Sequence, residues 1–159
     1  MHPNLSFEQA PPISVPYRFF LTAPLFGAAA GLLLAWLGPA ALESRWTPGT
    51  LALTHLLTMG YMLQAMCGAL LQFVPVSTGG NIWRPKLVAV VAHPALALAA
   101  LLLVLAFISG WPALYKIAGL MFAVILGGYL IVVSVALLRT QAQGRSLQML
   151  RLAIFGLLV

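Results

Sequence analysis

The sequence predicts an all-α integral membrane protein: a bundle of four transmembrane helices plus the start of a fifth. Charged residues make up only 6% of the chain, against 62% hydrophobic residues. A domain facing water carries about 25% charged side chains, so lipid is the remaining solvent. Four apolar runs each reach the ~20 residues that a helix rising about 1.5 Å per residue needs to cross a ~30 Å hydrocarbon core. Breakers separate these runs: Gly38-Pro39, Pro48-Gly49, Pro75, Pro85 and Gly110-Trp111-Pro112.

Taken in order, residues 1–16 are polar, proline-rich and free of Lys or Arg. That is a poor leader for secretion, so no cleaved signal peptide is expected, and the distribution of bases makes it a cytoplasmic N-terminal segment. The transmembrane bundle then occupies residues 17–159, with spans at about 17–38, 50–74, 87–109 and 113–138. None of the four alternates with period two, and lipid leaves every backbone polar group to be bonded within its own segment, so each is a helix. The first span carries Gly27-Ala28-Ala29-Ala30-Gly31, a small-xxx-small face that predicts close helix packing, within the chain or between chains. After Arg151 the apolar run LAIFGLLV is too short to cross. Residues 148–159 are therefore expected to be a partial fifth span of a chain that naturally continues.

Eight bases oppose two acids, Glu8 and Glu43. The bases flank apolar runs and are not clustered among aromatics, so they read as a topology signal and not as a nucleic-acid surface. Arg18, Arg84, Lys86, Arg139, Arg145 and Arg151 fall on one side, with Arg45 and Lys116 on the other. Lys and Arg stay cytoplasmic, which predicts a multi-pass protein of the inner (cytoplasmic) membrane with its N-terminus inside. Tyr17, Trp36, Trp46, Trp83, Trp111 and Tyr115 sit at interface depth as anchors. The lone Cys67 lies in an apolar run and permits no intrachain disulfide. The loop 77–81 lacks the lysine and helix start of a phosphate cradle and reads as a turn.

Chemistry has few places to reside. The spans hold no Asp, Glu, Lys or Arg away from their ends, which argues against ion-coupled transport. His55 and His93 remain, and an intramembrane histidine with unpaired ring nitrogens is costly. At 100° per residue His55 shares a helix face with Met59, Met62 and Met66. Imidazole above a polarisable methionine wall suits haem, and the same stripe suits Cu(I). A histidine bonded to a neighbouring helix, with methionines as ordinary packing, fits the pattern too.

Thr54-His55-Leu56, Gly68-Ala69, Gln72-Phe73-Val74-Pro75-Val76 and then Arg84-Pro85 resemble helix II of the haem–copper oxidase subunit I superfamily, especially its small subunit I-like and NnrS-type membrane proteins. The resemblance covers about a fifth of the chain. It implies a b-type haem with His55 as an axial ligand, and a role in electron transfer or O2/NO chemistry. The family's second haem ligand and copper-holding histidines come from later helices, to which nothing here corresponds. An oxidoreductase activity is therefore expected only within a longer chain or complex.

Depth separates the two histidines. His93 lies roughly 9 Å from the inner end of its span and His55 roughly 7 Å from the outer end of its own, leaving roughly 14 Å between them. Axial ligands of one iron need nitrogens ~4 Å apart. His93 is thus expected to bond a backbone carbonyl freed by Pro94, with a separate metal contact as the other reading. Met121 is the one internal alternative as partner to His55; a histidine on a later helix of a longer chain is the first choice, with His55 of a second protomer behind it. Copper handling through the His/Met stripe, or a purely structural subunit, are the rival functions.

Overall fold

The computed structural model describes residues 7–140 and 145–158. The helices are α1 (Ser14–Leu37), α2 (Pro48–Thr78), α3 (Pro85–Ser109), α4 (Pro112–Arg139) and α5 (Arg145–Leu158), and no strand occurs among the described residues. The first four are long and apolar enough to cross a membrane. Their outward side chains are bare hydrocarbon, as at Leu32, Leu120 and Ile131, and lipid is the solvent that such a surface fits. The chain is an all-α, multi-pass membrane bundle.

Proline opens three of the long helices. Pro48, Pro85 and Pro112 occupy first turns, where the N–H that proline lacks would have no helical partner. Gly79 and Gly110 close α2 and α3 with φ of 65° and 69°. Their N–H groups bond Pro75 O at 2.9 Å and Ala106 O at 2.8 Å, a left-handed cap that side chains with a Cβ resist.

Pro75, expected as a breaker, instead lies inside α2, which runs on to Thr78. Proline removes one ladder bond there. The hydroxyls of Ser77 and Thr78 donate to Phe73 O at 2.6 Å and Val74 O at 2.7 Å, holding the last turns together. Pro24 and Pro94 are also interior. In lipid an unwound segment would expose unbonded backbone, so helix persists through prolines that would end it in water. The N-terminal boundary moves as well: α1 begins at Ser14, inside the segment expected to precede the bundle, and residues 1–6 lie outside the described ones.

α2 and α3 form the middle of the bundle. α1 packs on both from one side and α4 from the other, and α1 and α4 make no close backbone contact among the described residues. The closest approach is not at Gly27 and Gly31. Gly27 faces the Tyr61 ring at ordinary contact distance and Gly31 faces open space. The tight seam runs along Gly60 and Gly68 of α2, where an added Cβ would meet Phe26 Cδ1 at 2.3 Å and Phe19 Cβ at 2.8 Å. Two phenylalanines of α1 thus press onto bare backbone of α2, two turns apart.

The core divides in two. One cluster gathers Val15, Phe19, Cys67, Leu71, Leu96 and Val133. The other, nearer the α1–α2 connection, holds Phe26, Ala30, Ala52, Leu56, Ala100 and Val104. Tyr129 of α4 donates its hydroxyl to Cys67 O at 2.7 Å, fastening α4 to α2 at depth.

α5 is 14 residues long, about 21 Å at 1.5 Å per residue and too short to cross. It turns back beside α4, with Arg151, Ile154 and Phe155 against Ser134, Leu137 and Leu138. The Arg151 guanidinium donates to Leu137 O at 2.8 and 3.2 Å. That carbonyl lies in the last turn of α4, where no further helical N–H is left to donate to it, so a cation bonds it.

Candidate functional site

The two intramembrane histidines lie in different halves of the bundle. The His55 ring lies 4.7 Å from the Phe107 ring, tilted by 31°, and Phe107 in turn meets Tyr115 edge-on at 5.1 Å. His93 is edge-on to Phe19 at 5.2 Å. Phe107 lies 14 residues beyond His93 on the same helix, which is about 21 Å along its axis. One iron cannot be shared across that distance.

Hydrogen bonding sets the two rings in opposite tautomers. His55 Nδ1 is 2.7 Å from Leu51 O. A carbonyl only accepts, so Nδ1 carries the proton and Nε2 presents a lone pair, with no partner among the described residues. His93 Nε2 is 2.7 Å from Thr22 Oγ1, whose own proton goes to Arg18 O at 2.9 Å. Nε2 of His93 must therefore be the donor, and its outer nitrogen is occupied. The expected bond to a carbonyl freed by Pro94 is replaced by this bond to α1, because Thr22 stands opposite on the neighbouring helix.

Below His55 the helix changes its winding. Leu56–Met62 is a π-helical stretch, with Leu63 N–H bonding Thr58 O five residues back. Each residue there turns through less than the 100° of an α-turn, so the single face expected to run from His55 to Met66 is broken. Met59 packs against the cluster around Phe26 and Leu56. Met62 and Met66 are about half exposed, at 52% and 46%. A copper site of His55 with all three thioethers would require them to converge, which this change of phase opposes. Met121 is half-buried on α4, a helix that makes no close backbone contact with Pro48–Met62.

Buried polar residues escaped a search confined to ionisable groups, Gln64 the most complete case. The Gln64 amide is fully buried, and neither its Nε2 nor its Oε1 has a partner among the described residues. It lies one turn from Gly60 and one from Gly68, on the row that faces α1. A glutamine in the middle of an apolar span is itself the signal that could have found it. Among the described residues, no three His, Cys, Asp or Glu side chains gather as a metal site.

Comparison with protein-family models, curated proteins and solved structures finds no match for this chain.

Proposed function

We propose that this chain is a membrane haem-binding protein in which His55 Nε2 takes an axial position on a b-type haem. The observation that carries the reading is the tautomer. Nδ1–H is anchored on Leu51 O at 2.7 Å, and a backbone carbonyl holding one ring nitrogen is the usual way a ligating imidazole is oriented and made more basic. The change to π winding directly below adds weight, since such turns cluster at functional sites. Phe107 supplies apolar packing beside the ring. Bound haem would supply one-electron chemistry or, at an open axial position, small-gas binding. The second ligand is assigned to another helix or a second copy of the chain, because the outer nitrogen of His93 is occupied and His93 lies about 21 Å along α3 from Phe107, the ring beside His55.

The test is haem titration of the purified protein in detergent, followed by its visible spectrum with parallel metal analysis. A Soret band that saturates at a fixed haem-to-protein ratio is expected. Copper without haem would replace this reading by the copper one, and neither signal would leave a structural subunit.

The same proposal orients the chain in an inner membrane with the N-terminus cytoplasmic. Arg18, Arg84, Lys86, Arg139, Arg145 and Arg151 lie at the bundle end that would face the cytoplasm. In a Cys67→Ser background, Ser44→Cys is expected to react with an impermeant maleimide on intact cells and Asn81→Cys only after lysis. The reverse pattern would invert the orientation.

A further inference from the structure

We propose that the groove between α3 and α4 is a binding site for one anionic phospholipid, its acyl chain along the groove and its phosphate at Arg84 and Lys86. The groove has a volume of about 250 Å³. Trp83, Leu87 and Val91 form one wall, and Val124, Gly128 and Val132 the other. Val124 to Val132 extends about 12 Å along α4, close to the ~15 Å of one leaflet, half of a ~30 Å hydrocarbon core. A seam of this length fits a single acyl chain and not a crossing helix.

What distinguishes it from ordinary lipid-facing surface is its mouth. Arg84 and Lys86 are exposed at this end of the bundle, within three residues of Trp83 in the sequence. Arg84 is the only non-glycine residue among those described with a left-handed backbone, at φ 42°. Its guanidinium lies 5.2 Å from the centre of the Trp83 ring, which places a cation at the rim with an apolar plane beneath it. Basic groups at the edge of a pocket between membrane helices attract anionic headgroups, and each Lys or Arg near the surface strengthens that attraction several-fold. The groove interior offers a headgroup nothing to bond. The Tyr129 hydroxyl at its base is already committed to Cys67 O.

Native mass spectrometry of the purified chain titrated with phosphatidylglycerol or phosphatidylcholine tests the site. The wild type is expected to bind one phosphatidylglycerol at least tenfold more tightly than phosphatidylcholine. In Arg84→Asn/Lys86→Gln that preference should fall to about one, since both charges are lost while Asn tolerates the left-handed backbone. Gly128→Leu should weaken both lipids at least tenfold, because a Cβ there meets no atom within 4 Å and the longer side chain would extend into the groove. Equal binding of the two lipids to the wild type would overturn the proposal. So would a preference that survives the double variant, or full binding to Gly128→Leu. Should Gly128→Leu fail to fold, the charge variant still decides.

Discussion

In a His55→Ala variant the Soret band of the haem-loaded protein is expected to fall at least tenfold at equal added haem. His93→Ala should retain it. The contrast follows from where each ring spends its nitrogens. His55 holds Nδ1–H on its own helix and keeps Nε2 open, so removing it deletes the ligand along with the ring contact to Phe107. His93 spends Nε2–H on Thr22, and removing it costs one interhelical hydrogen bond and the edge contact with Phe19. Such bonds in membranes average about 0.6 kcal/mol and reach about 1.7. Thr22 still donates to Arg18 O, so no buried donor is orphaned and the loss should stay in that range. Thermal unfolding in detergent measures the cost, and absorbance at saturating haem measures the ligand. Loss of haem from His93→Ala with retention in His55→Ala would reverse the assignment.

The largest effect on stability is expected at Gly60. An alanine there sets its Cβ 2.3 Å from Phe26 Cδ1, 2.5 Å from Cγ and 2.8 Å from Cβ. Because the root of the Phe26 side chain is met as well as its ring, a rotamer change cannot relieve the overlap and α1 must move. Overpacking of this kind costs about 1–3 kcal/mol, and Gly60→Ala should lie at the upper end. Gly31→Ala is the matched control on α1. It meets nothing within 4 Å, and alanine is favoured over glycine in a helix by about 1 kcal/mol, so it should be neutral or stabilising. Phe26→Val placed on Gly60→Ala should recover part of the loss. Equal melting of Gly60→Ala and wild type would mean that α1 and α2 do not meet at this point.

The spans were legible because lipid imposes length and hydropathy on them. The four helices differ from the apolar runs by a few residues at most ends, and Pro48, Pro85 and Pro112 mark their starts as proline does at a first helical turn. Pro75 misled, because whether a proline ends a helix depends on what solvates the freed backbone, which local sequence does not state. The glycines misled in the same way. Gly27 and Gly31 have the spacing of a packing face, but Gly60 and Gly68 have Phe26 and Phe19 opposite them, and only the fold pairs those residues. At the candidate site, His55 and His93 were visible as residues, and their separation in depth followed from helix rise. Their tautomers did not, since these depend on Leu51 O and on Thr22, the latter 71 residues away from His93.

The wide turn at Leu56–Met62 accommodates one more residue than an α-turn would. It therefore behaves as a single-residue insertion absorbed into a helix. Deleting one exposed residue from it, such as Thr58, would let α2 continue as uninterrupted α-helix with every backbone bond intact. The portion carrying Gly60 and Gly68 is pinned by the phenylalanines of α1. Because the wide turn already takes up the extra residue, the helix on either side of it would keep its facing, and His55 would stay beside Phe107. Elsewhere in these spans a one-residue deletion would turn everything beyond it by about 100° around the helix axis; here it would straighten the winding and leave the imidazole where it is.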